Sequence, residues 1–536
     1  MIRAGEPAFG WRLAAWLAVL AVALWLRLWH VHAQFLFDDE WHALHKLMRA
    51  GYWDIFSNFG GADHSIPLTL LYKSLAGISG LNELVMRIPS LAAGVGLVFA
   101  VPWLLKPWLE RYEGWLIGLL LAISPLLIFF SRQARPYALV ALGVVMALLA
   151  LWQWRRRGGH WAWLFAVPAV LAAWLHPLML IYIAPALTWC LVLDCRQGLS
   201  SADWRPALRI ILLGGATALA VLALLLVPFL KDWATLGDKV ADGRLIFEAV
   251  AVAWQLFAGS GLWPAALLVG LLAIGGAVVI ARRAADLAMY LGFVLVSAIA
   301  LVILASPAWI QSGGVLARYL VVVQVFMLAL AGIGLGSVLR ALSERLDRPW
   351  LAGAGGAATA VALYLAGPLP EIYRAPNNHT MHYYYQADYN IERSLFREFS
   401  RAIQVSPVMH RIAAEEGDWT VIDTPYYFES YSPLMVYQRV HRRPVRLGMI
   451  SGLCVDWTFG EIPPDRDDVI LRNHVYLSEI IDNPPANHFL VFHRTTPVVP
   501  GVRELPRRAR CQQILTQRLG QPWYEDELVA VWRFET

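Results

Sequence analysis

The sequence predicts a polytopic α-helical membrane protein, with about eleven transmembrane helices followed by a C-terminal extracytoplasmic α/β domain. Three observations carry that expectation. Of 536 residues, 58% are hydrophobic and only 15% charged, with a mean hydropathy of +0.52, values that soluble domains seldom reach. Apolar runs approaching the ~20 residues needed to cross a bilayer recur through the first two thirds of the chain. Basic residues gather in the short connections between alternate runs, the pattern that sets membrane orientation.

Taken in order, the candidate spans are 11–30, 84–105, 113–131, 136–154, 161–176, 177–194, 207–230, 249–281, 286–306, 315–339 and 350–368. The run 249–281 is long and is interrupted by Gly259, Gly261 and Pro264. Val31-His32-Ala33 loosely resembles a cleavage site, but the preceding run is long for a signal peptide and contains Arg27 and Trp29, so a retained first helix is expected. Arg3 and Arg12 precede the first helix, and Lys106 and Arg111 follow the second. Arg155 to Arg157 follow the fourth, and Arg196, Arg205 and Arg209 separate the sixth and seventh. Arg282-Arg283 follow the eighth, and Arg340, Arg345 and Arg348 follow the tenth. The positive-inside rule then puts the N terminus in the cytoplasm. It puts 31–83, 131–136, 231–248, 306–317 and everything after about 369 on the other side. A transmembrane module, 1–368, and an external domain, 369–536, follow. A net charge of +5 arranged this way reports orientation and does not suggest nucleic-acid binding. Composition points to a bacterial inner membrane, with the C-terminal domain in the periplasm.

The first external loop, 31–83, is about fifty residues long, and loops of that size are usually functional. Residues 39–50 read as an amphipathic helix with Trp41, Leu44, Leu47 and Met48 on one side. Pro67 to Ile78 repeats Leu68, Leu71, Tyr72 and Leu75 at helical spacing. Both could lie at the membrane interface. In the C-terminal third, Trp419 to Asp423, Asn487 to His493 and Leu528 to Phe534 read as strands, and Phe428 to Arg439 as a helix. Cys454 and Cys511 can form a disulfide if that third is outside the reducing cytoplasm. Cys190 and Cys195 read as packing residues.

Several constellations could carry chemistry. Asp38, Asp39 and Glu40 follow the first span, where carboxylates are costly to desolvate and default to a functional reading. Neighbouring acids raise one another's pKa, which suits one of them to general-base work. The plain alternative is an N-cap for the 39–50 helix, and the two are compatible. Asp63 and His64 precede Ser65-Ile66-Pro67; His64 can bond a phosphate or hydroxyl, or the group can simply cap the next helix. Ser131-Arg132-Gln133-Ala134-Arg135-Pro136-Tyr137 sets two arginines at an external hairpin, against the positive-inside trend. A phosphate would explain them, as would a salt bridge to residues 38–40 or to Glu83. Arg318-Tyr319, after Ser312-Gly313-Gly314, is a further external arginine, suited to phosphate or to snorkelling. Lys231, Lys239 and Arg244 are weaker candidates, with Asp63, Lys231 and Lys239 as possible acceptor or lipid contacts. His176-Pro177 reads as a helix end. No Walker loop, dinucleotide fingerprint or zinc spacing is present.

Together these residues resemble the GT-C superfamily of membrane glycosyltransferases. The closer likeness is to the bacterial relatives of dolichyl-phosphate-mannose protein mannosyltransferases, which include lipid A aminoarabinose transferases. The likeness spans roughly 10–340. It rests on Phe37-Asp38-Asp39-Glu40, on Asp63-His64-Ser65-Ile66-Pro67-Leu68, and on Glu83-Leu84-Val85-Met86-Arg87-Ile88-Pro89-Ser90. It continues with Ser131 to Tyr137 and with Arg318-Tyr319. The resemblance implies transfer of a sugar, hexosyl or pentosyl, from a polyprenyl phosphate such as undecaprenyl phosphate to a lipid, glycan or protein acceptor at the periplasmic face, with inversion. Asp38 or Asp39 would act on the attacking hydroxyl, with Asp39 favoured because Asp39-Glu40 aligns with the family's Asp-Glu pair. Arg132, Arg135, Tyr137, Arg318, Tyr319 and His64 would bind or support the leaving phosphate. A divalent cation such as Mg or Mn, if used, would fall to Asp38 and Asp39; no obligatory metal or other cofactor is expected. Competing readings are a lipid-linked glycan ligase or polymerase, a lipid or sugar transporter, and a membrane scaffold. Charges concentrated at helix ends on one side favour surface chemistry over translocation.

Overall fold

The computed structural model describes residues 9–34, 36, 39–60, 65–110, 112–234, 244–307, 310–348, 350–374, 404–425, 437–438, 440–456, 461–463, 466–495 and 508–535. Asp38, Asp63, His64 and Lys239 lie outside these, as does nearly all of the helix expected over 428–439. The described chain divides into two compact units. One comprises residues 1–29, 53–68 and 88–370; the other comprises residues 30–52, 69–87 and 371–536.

The first unit is helical. Among the described residues, seven helices are long and apolar enough to cross a membrane: Glu83–Trp108, Tyr137–Arg157, Pro177–Ser201, Arg205–Lys231, Trp263–Arg283, Ala285–Ala305 and Val321–Arg345. The expected span 113–131 is a broken one, Glu113–Ile123 and Pro125–Ser131, bent by 65°. Pro125 has no N–H to continue the ladder, so the bend follows from its ring. The expected span 249–281 divides into Phe247–Ala258 and Trp263–Arg283. Gly259 makes the break at φ 76°, a conformation that favours glycine. A Cβ there would also sit 2.7 Å from Pro125 Cδ, so the two breaks pack against each other. The expected span 315–339 is likewise two helices, Gly313–Tyr319 and Val321–Arg345. Phe9–Leu28, Trp161–Leu175 and Trp350–Ala366 are further apolar helices.

Helix ends assigned to the cytoplasm by charge meet one another. Arg283 bonds both Glu113 oxygens at 2.7 and 2.9 Å and lies 2.9 Å from Glu110, which also pairs with Arg340. Arg155 pairs with Asp194 at 2.6 Å.

The second unit is built on a six-stranded sheet in the order β3-β2-β1-β4-β6-β5. The strands are β1 Thr420–Thr424, β2 Val445–Met449, β3 His474–Tyr476, β4 His488–His493, β5 Tyr524–Glu525 and β6 Val529–Phe534. β1 to β4 are mutually parallel, and β6 runs antiparallel to β4 and β5. The first-loop segments 30–52 and 69–87 belong to this unit. They contribute helix Glu40–Arg49 and most of helix Ile66–Ser79. Leu81 exchanges backbone bonds with Asp468 and Ile470, both at 2.8 Å. Arg466 donates to Met48 O at 3.1 Å.

Cys454 and Cys511 are disulfide-bonded and tie the segment after β2 to helix Arg508–Leu519, within a core of Ile422, Leu490, Leu515 and Trp532. The bond spans 57 residues. Removing it by Cys454→Ser is expected to cost about 3–4 kcal/mol, from the unfolded chain's regained freedom. Urea titration of protease resistance in this unit checks the figure, and dithiothreitol on wild type should reproduce the loss.

Candidate functional site

The chemistry-bearing residues fall into a basic, aromatic group in the first unit and an acidic group in the second. The basic group begins at the bend of 113–131. Breaking that helix leaves its last carbonyls without their usual amide partners. Arg27, fully buried near the end of the first helix, supplies donors instead. Its guanidinium reaches Ala122 O at 3.0 Å, Leu121 O and Ala23 O at 3.3 Å, and Ser131 Oγ at 3.2 Å. Arg132 in turn donates to the carbonyls of Arg27 at 3.1 Å and Trp29 at 2.6 Å. The backbone of Arg135 is held by Ser90 Oγ at 2.8 Å.

Around Tyr137 the group closes. The Arg135 and Arg318 guanidinium carbons lie 5.8 and 5.4 Å from the Tyr137 ring centre, and Arg318 lies 5.5 Å from that of Tyr319. Cation–π contact lets a guanidinium rest on an aromatic face in an apolar setting. The His176 ring centre is 6.5 Å from Tyr137 and 6.3 Å from Tyr319. Tyr182 fixes the Tyr319 carbonyl at 3.1 Å. Arg135, Tyr137, Arg318 and Tyr319, singled out separately in sequence, are therefore brought together. His176, set aside as a helix end, joins them, and Arg27 supports Arg132 from beneath. Lys231 is elsewhere engaged, donating to Ser57 Oγ at 2.7 Å, and its neighbour Asp232 accepts the Phe59 amide.

Close packing under this group depends on Gly94 in helix Glu83–Leu105. A Cβ there would overlap Ser131 Oγ and lie 3.2 Å from Arg27 Nε. Gly94→Ala is expected to cost about 1–3 kcal/mol by overpacking and to loosen Arg132 with it. A thermal melt in detergent together with donor binding measures both effects.

In the first unit an apolar cavity of about 530 Å³ opens between helices Trp161–Leu175, Pro177–Ser201 and Arg205–Lys231. Leu187, Val221, Leu225, Phe229 and Trp233 are among its walls. Leu180, another wall residue, lies one helical turn after His176 in the chain.

In the acidic group the structure separates Asp39 from Glu40. Glu40 opens helix Glu40–Arg49 and is 0% exposed, as is Arg87. The pair is bidentate: Arg87 Nε to Oε1 at 3.2 Å and Nη2 to Oε2 at 3.0 Å, with Nη1 on the carbonyl of Gln34. Asp39 precedes the helix without a side-chain cap bond, its side chain 26% exposed and 3.9 Å from His42 Nε2. Glu83 accepts the backbone amides of Arg472 and Asn473, both at 3.0 Å, and lies 3.6 Å from His474. Trp41 packs edge-on to His474 and bonds Leu36 O at 3.2 Å. Burial first, then Arg49 and His42, pulls the His45 pKa down to about 3, so this imidazole stays neutral. Among the described residues, no three His, Cys, Asp or Glu side chains gather as a metal site.

No family model and no curated protein matches the sequence. Among solved structures the chain is similar to ArnT from Cupriavidus metallidurans bound to undecaprenyl phosphate, at 13% identity and TM-score 0.44 over 98% of each chain. It is also similar to the archaeal oligosaccharyltransferase AglB from Archaeoglobus fulgidus in complex with an inhibitory peptide and a dolichol-phosphate. That likeness has 14% identity and TM-score 0.43, covering 81% of this chain and 64% of that one. The arabinosyltransferase EmbB from Mycobacterium smegmatis follows at 15% and 0.40, covering 82% and 42%.

Proposed function

We propose that the protein is an integral membrane glycosyltransferase that moves a sugar from a polyprenyl-phosphate donor to an acceptor hydroxyl on the extracytoplasmic face. The observation that carries this reading is the gathering of Arg135, Arg318, Tyr137, Tyr319 and His176. Guanidinium groups at helix ends suit a phosphate, whose charge grows as the glycosidic bond breaks. The apolar cavity one turn beyond His176 suits a prenyl chain. Asp39, half-buried beside His42, accepts the acceptor's proton. Its hydroxyl oxygen attacks the anomeric carbon, and the bond to phosphate oxygen breaks with its electron pair. Direct displacement inverts the anomeric centre. Glu40, held by Arg87, positions Asp39.

The cytoplasmically assigned residues Glu110, Glu113, Arg283 and Arg340 pair with one another, and the Cys454–Cys511 bond suits an oxidising compartment. Both support an N terminus in the cytoplasm of a bacterial inner membrane and a C-terminal domain in the periplasm.

Purified full-length protein, mixed with a radiolabelled polyprenyl-phosphate sugar and a crude envelope extract, tests the reading. Label should leave the donor fraction, and Arg318→Ala should weaken donor binding by about ten- to a hundredfold, the worth of a charge-assisted phosphate contact. Failure of the wild type to bind or consume any donor in a broad panel would overturn it.

A further inference from the structure

The C-terminal sheet carries another polar cluster that the transfer step does not use. After β1 the chain builds β2 and β3 outward on one side, then crosses back to lay β4 on the other side of β1. Strand order therefore reverses between β1 and β4. In open α/β sheets, ligands bind beyond the carboxyl ends of the strands at such a reversal. Asp423 stands one residue from the end of β1, and His493 ends β4.

These two side chains are paired and buried. His493 Nε2 lies 3.0 and 3.1 Å from the two Asp423 carboxylate oxygens. The carboxylate receives the Nε2 proton in a hydrogen bond and fixes the orientation of the ring. The Tyr437 ring lies over the imidazole, centres 4.8 Å apart and planes 14° from parallel. His441, one turn further on, is 1% exposed. Its Nδ1 accepts the Arg443 amide at 3.0 Å. Burial first, then Arg443 and His493, pulls its pKa down to about 3. A neutral ring that accepts on Nδ1 carries its proton on Nε2. That buried Nε2 has no hydrogen-bond partner among the described residues. Orphaned buried donors are rare in folded proteins and call for an explanation.

We propose that Asp423, His493, Tyr437 and His441 form a carbohydrate-binding site at the carboxyl edge of the sheet. A carboxylate-paired imidazole, the unmatched His441 N–H donor and the Tyr437 ring match the hydroxyls and apolar face of a sugar. The Asp423 carboxylate disfavours phosphate. The site rests on the proposed transfer reaction for the source of its ligand, the glycan part of the acceptor, and supplies the sheet domain with a role in holding it.

Full-length protein in a detergent without a sugar headgroup is titrated with glucose, galactose, mannose, arabinose and N-acetylglucosamine, with inorganic phosphate as control. Binding is followed by saturation-transfer NMR. At least one sugar should bind, and phosphate should not displace it. His493→Phe keeps a ring against Tyr437 and should weaken affinity about tenfold or more, as should His441→Phe, through lost hydrogen bonds. His493→Gln serves as the variant if His493→Phe does not fold. No binding by any sugar in the panel, displacement by phosphate, or wild-type affinity in the folded variants overturns the site. Sugar binding without transfer from any donor sinks the transferase reading alone. Transfer without sugar binding sinks this site alone.

Discussion

Asp39→Asn will slow sugar transfer severely and leave donor binding unchanged. The asparagine keeps the size of the side chain and removes its basicity. A positioned general base is worth about 10²–10⁴ in rate, and the transfer rate should fall by that factor. Donor affinity should hold, because the phosphate contacts assigned above come from Arg135, Arg318 and their aromatic neighbours. Single-turnover transfer with labelled donor measures the rate, and equilibrium binding measures the affinity. Near-wild-type transfer by Asp39→Asn would remove the base from this residue and return attention to Asp38.

The second large effect is on stability. Arg87→Met will strand the Glu40 carboxylate in a fully buried position, where breaking an ion pair costs about 3–5 kcal/mol. Glu40→Gln alone will take the Glu40 charge from the buried Arg87 guanidinium, which keeps the Gln34 carbonyl, with a somewhat smaller loss. The double variant Glu40→Leu/Arg87→Met should recover much of that loss, because apolar side chains can replace a buried pair at little cost. A double-mutant cycle on thermal midpoints in detergent reads the coupling. Equal midpoints for wild type and both single variants would show that the pair does not stabilise the loop. Transfer in the folded double variant then tells whether Glu40 positions Asp39 or only holds the loop.

Much of this arrangement is legible in the sequence because its determinants are local. The apolar face of residues 40–49, the short apolar runs around 420–424, 488–493 and 529–534, and the external arginines all declare themselves within a few residues. What stays hidden depends on distant partners. Arg27 reads as a lone charge near a helix end, yet it is buried on carbonyls about a hundred residues away. Glu40 sits in a run of three acids, and only its partner Arg87, 47 residues on, distinguishes it from Asp39. His176 gains meaning through Tyr137 and Tyr319, neither of them near in sequence. The breaks at Ser124-Pro125 and Gly259 are marked by their residue types, but their mutual packing is not. Sheet order is likewise a long-range property, set by crossovers that no strand's own sequence records.

Glu83 and Arg87 stand one turn apart on the same helix. The first is seated on the amides of residues 472 and 473, just before β3, and the second grips Glu40 beside the proposed base. The C-terminal part is therefore not a detachable module. A chain cut after residue 370 would lose the seat of Glu83 along with the sheet, and inactivity of such a fragment would say nothing about what the sheet binds. Grafting the sheet onto a relative would transplant residues 472–474 without the loop they were shaped to meet. Exchanges between relatives should carry residues 30–52, 69–87 and 371–536 as one piece.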